Sequence, residues 1–132
     1  PNMAVSTALS AISTMMADSL TDGDHDEARD VEHGALDLYD ARGRFLTRID
    51  LTGGRHVLTL DLRRLLPHLL AYPCAAVILR HRHPSGIAAP SRADIATTRA
   101  LTTLLHLLGI RLHDHLIEGG RDQFSFRAEG LI

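Results

Sequence analysis

The 132-residue sequence has a single cysteine, no long apolar run and little net charge, and each of these excludes a class of protein. It has one cysteine, Cys74, so an internal disulfide is excluded, and its apolar neighbours favour a small buried side chain over a nucleophile. No stretch reaches the apolar length of a membrane span, and no basic leader precedes an apolar core, so we expect a cytoplasmic protein without membrane contact. The formal net charge of −2 gives no overall field that would attract nucleic acid, so a nucleic-acid partner is not supported.

The rest of the composition is that of an ordinary globular protein. Hydrophobic residues make up 45% of the sequence and charged residues 23%, and 132 residues suffice for one domain but not for two. We expect residues 1–30 to hold an amphipathic helix, over residues 4–20, followed by an acidic linker. The domain itself is then expected to span residues 31–132.

Hydrophobic periodicity predicts an α/β fold in which helices flank a mixed β-sheet, in two layers or in three α-β-α layers. Strands are predicted at residues 31–38, 44–51, 56–60, 74–79, 110–118 and 123–127. One helix is predicted after Asp61 and another over residues 92–108. Pro67 falls inside the first of these, and because proline removes a helix hydrogen bond we expect a kink or two short helical pieces there.

The chemically informative residues follow the predicted central strand. This strand, Cys74–Leu79, leads directly into His81 and His83. Side chains two residues apart on a strand point the same way, so both imidazoles can be directed at one point. Ser91 is predicted to cap the next helix, with Asp94 in its first turn. Two histidines and one carboxylate, with a fourth position left for water, form the ligand set of a catalytic zinc site.

Each half of this motif has a plainer interpretation by itself. A lone His-x-His is more often a surface coincidence than a ligand pair, and Ser-x-x-Asp resembles a helix capping box. Their order and their position at a strand end favour the metal site. A rival site is offered by His113 and His115, on either side of Asp114, although only Glu118 could add a third ligand nearby.

The motif begins with His81, His83 and Pro84, continues after six residues with Ser91, and ends after two more with Asp94. This spacing resembles the JAMM (MPN-plus) metalloprotease signature. The wording H-R-H-P-S-G with P-S-R-A-D resembles the bacterial RadC branch of that family. The resemblance runs from Glu32 to the C-terminus and implies a cytidine-deaminase-like, JAMM-type sheet. It also implies one zinc ion per chain, held by His81, His83 and Asp94, and a peptide or protein substrate. Arg82 departs from the RadC pattern, which has asparagine there, but on a strand its side chain should point away from the histidines.

The resemblance implies roles for residues outside the ligand set as well. The family's catalytic glutamate stands where a first strand begins, and Glu32, followed by His33, matches it. Glu32 is then the general base for a water whose pKa the metal lowers toward about 7. Ser91 is expected to donate a hydrogen bond to the tetrahedral oxyanion. Asp114 and His115 match the Asp-His of the RadC pattern, which implies a place behind the metal ligands or in the substrate cleft.

Two functions are consistent with these residues. The first is a zinc-dependent hydrolase of amide or isopeptide bonds, and the alternative is a non-catalytic, metal-stabilised binding module associated with DNA repair or mobile elements, as the RadC name implies. A structural zinc site closes its fourth position with a protein ligand, and nothing nearby supplies one. Glu32 and the open position therefore favour the hydrolase. The sequence leaves a homodimer open.

Overall fold

The computed structural model describes residues 31–53 and 60–132, and these form a five-stranded mixed sheet with two helices. The elements are β1 (His33–Tyr39), β2 (Phe45–Thr52), α1 (Leu62–Ala71), β3 (Ala76–Arg82), α2 (Arg92–Leu107), β4 (Arg111–Gly119) and β5 (Asp122–Ser125). The strand order is β2-β1-β3-β4-β5, with β3 and β4 parallel and the other neighbours antiparallel. Neither of the helices in the described ranges is long and apolar enough to cross a membrane.

Both described helices bury their apolar residues against one face of the sheet. Leu36 of β1 and Leu79 of β3 are register partners on this face, and alternation along each strand places Leu38 and Val77 there too. They form one core with the inward-facing residues of α1 and α2, which are Leu65, Leu69, Leu101 and Leu105. Burying a side chain of this size contributes about 1.5–3 kcal/mol. The described part of the domain thus has two layers.

The predicted α/β fold with a mixed sheet is confirmed, and two local predictions are corrected. The helix after Asp61 is a single element that contains Pro67, so of the two expectations, a kink or two short pieces, the second is wrong. Leu65 and Leu69 of that helix are almost completely buried, and their packing offsets the hydrogen bond that proline removes. The final strand ends at Ser125, because the next residue, Phe126, begins a turn and is buried. The helix predicted at residues 4–20, the acidic linker and almost all of the strand predicted at 56–60 lie outside the described residues.

A group of charges lies on the sheet face opposite the core. Asp37 of β1 is buried there and accepts hydrogen bonds from Arg48 Nε at 2.6 Å and from Arg48 Nη2 at 2.9 Å. Arg80 Nε donates a third at 2.7 Å. The hydrogen bond from Arg48 has the largest effect on the pKa of Asp37, and together with the one from Arg80 it holds that pKa below its usual value of 3.8. Burial acts in the opposite direction.

Replacing Asp37 with Asn is expected to lower the free energy of unfolding by about 2 kcal/mol near neutral pH, because charge-assisted hydrogen bonds are lost. A carboxylate with a depressed pKa in the folded state adds stability above its unfolded pKa and loses it as the pH falls through the folded value. The difference between wild type and Asp37→Asn in urea unfolding should therefore shrink below about pH 4. A difference that stays constant on acidification would contradict this.

Candidate metal centre

The candidate site lies at the edge of the sheet where β3 and β4 end and β1 begins. β1 runs antiparallel to β3, with Gly34 opposite His81, so Glu32 just ahead of β1 lies beside the end of β3. Gly53 packs its main chain directly onto Glu32. A Cβ at position 53 would lie 3.0 Å from the carbonyl carbon of Glu32 and closer still to its carbonyl oxygen, so only glycine fits without displacing that residue.

The start of α2 supplies a buried carboxylate in a fixed orientation. Ser91 Oγ accepts a hydrogen bond from the main-chain N–H of Asp94 at 3.1 Å, and Asp94 Oδ2 accepts one from the N–H of Ser91 at 2.7 Å. This is a complete capping box, and it places the negative charge of Asp94 at the positive end of the helix dipole. The capping interpretation and the metal-site interpretation of Ser-x-x-Asp are therefore compatible, because the cap orients the carboxylate.

Four predicted site residues converge at this edge. Glu32 Oε2 lies 2.7 Å from His81 Nε2, and Glu32 Oε1 lies 3.8 Å from His83 Nε2. Asp94 Oδ1 lies 3.3 Å from His81 Nδ1, and Asp94 Oδ2 lies 3.2 Å from His83 Nε2. The most exposed of the four side chains, His83, is only 10% exposed. The structure thus brings together two imidazoles and two carboxylates away from solvent.

The two imidazoles present lone pairs to Asp94. His83 Nδ1–H donates to the main-chain carbonyl of Ile87 at 2.9 Å, so in the neutral form of this ring the lone pair is on Nε2. His81 Nε2–H donates to Glu32, so in the neutral form of that ring the lone pair is on Nδ1. Both of these nitrogens are buried and lack a hydrogen-bond partner among the described residues. Lone pairs that face carboxylate oxygens repel unless a cation lies between them, so this donor set fits a divalent metal.

Two carboxylates compete for the place of third ligand. One ligand atom from each of Glu32, His81 and His83 can be chosen so that all lie within 4.8 Å of one another. Glu32 Oε1 lies 3.8 Å from His83 Nε2, and Glu32 Oε2 accepts a hydrogen bond from the other nitrogen of His81. The oxygens of Asp94 lie nearer to both nitrogens that lack a partner among the described residues, at 3.3 Å and 3.2 Å, although Oδ2 also accepts from the N–H of Ser91. This geometry favours Asp94 as the ligand and leaves Glu32 beside the metal position.

His115 lies directly behind His81. Its ring is completely buried and stacks on His81 at a centroid distance of 5.7 Å and on Phe126 at 4.5 Å. Thr98 Oγ1 donates to the main-chain carbonyl of Asp94 at 2.7 Å and accepts from His115 Nδ1 at 2.6 Å. Burial, together with the neighbouring His81, lowers the pKa of His115 to about 3, so the ring is neutral. Sequence analysis missed Thr98, although its position four residues after Asp94 places both on one helix face.

Asp114 is next to His115 in sequence, but its carboxylate contacts a different part of the domain. It accepts hydrogen bonds from Ser125 Oγ at 2.6 Å and from the main-chain N–H of Arg127 at 3.0 Å. It also accepts from the main-chain N–H of His115 at 2.8 Å. Asp114 therefore ties the turn after β5 to β4, and its hydrogen bond toward the site goes to the backbone of His115.

The rival pair of histidines gathers no third ligand in residues 31–53 and 60–132. His113 is exposed, whereas His115 is completely buried. The carboxylate of Glu118 instead pairs with Arg82 at 3.2 Å. Arg82 itself is 69% exposed and lies outside the buried cluster, as its place between two inward-facing histidines predicts.

Two surface cavities accompany the cluster. The larger, about 870 Å³ in volume, lies between α2, the start of β4 and the C-terminal residues, and none of the four clustered side chains lines it. The smaller, about 280 Å³, includes His81 together with residues of β1, β2 and β3 and Glu118. The convergence of buried ionisable groups marks the candidate site better than cavity size does, because the larger cavity holds no comparable cluster.

Comparison with known proteins adds a family match. The model of the RadC-like JAB domain matches residues 7–131. The UPF0758 protein YkfG of Escherichia coli K12 is 47% identical over 70 residues, which are 53% of this chain and 44% of that protein. The UPF0758 protein IL0240 of Idiomarina loihiensis is 36% identical over 120 residues, which are 90% of this chain and 53% of that protein. The chain thus spans about half the length of these relatives or less.

Proposed function

The chain belongs to the RadC-like JAB domain family, and we propose that it is a zinc-dependent hydrolase of amide or isopeptide bonds in peptide or protein substrates. One observation carries the proposal. Two buried imidazole nitrogens that have no hydrogen-bond partner in the described part of the chain face the two oxygens of one carboxylate, and a second carboxylate lies beside them. His81, His83 and Asp94 would hold the metal. Two nitrogen donors and one oxygen donor suit zinc better than they suit magnesium or calcium, which prefer oxygen ligands.

The chain's own residues would supply the proton transfer and the oxyanion donor. When bound, zinc supplies a Lewis acid and lowers the pKa of a water molecule to about 7. Glu32 accepts the proton of the attacking water and delivers it to the leaving nitrogen. Ser91 donates to the oxyanion, because its capping bond uses only a lone pair of Oγ and leaves the hydroxyl hydrogen available.

We also assign His115 a positioning role behind the ligands. Its neutral ring packs against His81, and through Thr98 it is linked to the main chain of Asp94. Partners of this kind fix the orientation of metal ligands. Asp114 would act one step further away, through its hydrogen bond to the backbone of His115.

The test is hydrolysis by the zinc-loaded protein of a fluorogenic peptide and of a lysine-isopeptide-linked peptide. We expect cleavage of at least one of them, with a rate that falls about 10³-fold on chelation, since several kcal/mol of transition-state stabilisation leave with the metal. Adding zinc back should restore the rate. A fully zinc-loaded protein that cleaves neither substrate would contradict the hydrolase and favour the metal-stabilised binding module.

A further inference from the structure

The last residue of β4, Gly119, touches the loop that follows His83. A Cβ at position 119 would lie 2.5 Å from the carbonyl carbon of Ile87 and 2.9 Å from the Cα of Ala88, and the main chain of the loop would have to move. Gly119 is not among the glycines with positive φ, so its backbone conformation would accept alanine. Only the close approach of the loop requires glycine here.

This loop provides the hydrogen bond that orients His83. The carbonyl of Ile87 accepts from His83 Nδ1 at 2.9 Å. The main-chain N–H of His83 also donates to the carbonyl of Glu118, at 2.9 Å. The end of β4 thus holds His83 twice, by its backbone through Glu118 and by its side chain through the loop that packs on Gly119.

We propose that Gly119 is a positioning residue for the metal ligand His83, an inference that rests on the proposed metal site. A neutral imidazole carries one N–H, and the hydrogen bond at one nitrogen decides which nitrogen that is. Because position 119 has no side chain, the carbonyl of Ile87 reaches Nδ1 and keeps the proton there. The lone pair of Nε2 then faces Asp94 at 3.2 Å before any metal arrives.

Zinc affinity tests the inference. Gly119→Ala should weaken zinc binding by about 10- to 100-fold, the cost of losing a partner that orients a metal ligand, measured by competition with a chromophoric chelator. The visible spectrum of the Co²⁺-substituted variant should differ from that of wild type. The matched control is Gly43→Ala in the β1–β2 turn, where φ is +77° and, apart from the two chain neighbours, no atom of the described residues lies within 4 Å of the added Cβ. It should lower stability and leave zinc affinity unchanged.

A second measurement, made on wild type, does not depend on whether the variant folds. Nitrogen NMR of the imidazoles in metal-free wild type should find the proton of His83 on Nδ1. In folded Gly119→Ala the proton should shift toward Nε2. A proton on Nε2 in wild type, or unchanged zinc affinity in folded Gly119→Ala, would overturn the inference about Gly119. Neither result would contradict the metal site, provided that wild type binds zinc. Wild type that takes up no zinc would instead contradict the proposed function, whatever the tautomer of His83.

Discussion

Glu32→Gln is expected to lower the rate of hydrolysis by about 10²- to 10⁴-fold while zinc stays bound, because an amide cannot take up the proton that a general base must accept. Glutamine has the shape of glutamate, and its side-chain oxygen can still accept the hydrogen bond from His81 that the carboxylate accepts at 2.7 Å. The geometry around the metal position should therefore persist. Rate and zinc content are measured on the same preparation.

The matched control for this substitution is Glu118→Gln. Glu118 pairs with Arg82 outside the buried cluster, so neither zinc content nor rate should change. If Glu32→Gln loses zinc, Glu32 is itself a metal ligand. It would then bind the metal together with the two histidines, whose ligand atoms lie within 4.8 Å of its own. Zinc retained with an undiminished rate would remove Glu32 from the proton transfer.

Asp94→Asn should weaken zinc binding more than the roughly 100-fold that loss of an outer hydrogen-bond partner costs, because a charged ligand becomes neutral. The two oxygens of Asp94 lie 3.3 Å from His81 Nδ1 and 3.2 Å from His83 Nε2, so the substitution acts on both imidazoles. Asparagine keeps one oxygen for the N–H of Ser91, and the fold should survive. Chelator competition measures the affinity, and thermal unfolding without metal checks the fold.

Ser91→Ala separates the helix cap from the metal site. It removes the oxygen that accepts from the N–H of Asp94, which costs about 1 kcal/mol of stability, but it leaves the carboxylate in place. Zinc binding should stay close to that of wild type, and hydrolysis should fall about 10²- to 10³-fold if Ser91 donates to the oxyanion. Asp94→Asn that binds zinc as tightly as Ser91→Ala would contradict the ligand assignment.

The convergence of the candidate metal ligands could be predicted from sequence because local rules place them. His81 lies near the end of β3 and His83 just beyond it, so the two-residue period directs both to the same side, and Ser91 with Asp94 forms a capping box within one helical turn. Glu32 is different. It meets His81 across 49 positions of sequence through the pairing of β1 with β3, which no local pattern specifies, and only the family resemblance pointed to it.

The parts of the site that sequence missed depend on tertiary contacts. The role proposed for Gly119 depends on the loop at Ile87, which packs on its main chain, and a Gly-Gly pair in a sequence indicates only a turn. The neutrality of His115 follows from burial beneath α2, which its place in the sequence does not reveal. Pro67 was expected to kink its helix or to divide it into two pieces. The helix is undivided, and its residues Leu65 and Leu69 are buried in the core.

The most direct test of the metal centre is the zinc content of the purified wild-type protein beside that of His81→Ala. His81 is completely buried between Glu32 and Asp94, so its loss removes a ligand and opens the centre of the cluster. We predict about one zinc ion per chain in wild type and none in the variant. Wild-type protein that holds no zinc, and takes up neither zinc nor another divalent ion when these are supplied, would contradict a metal centre at this site.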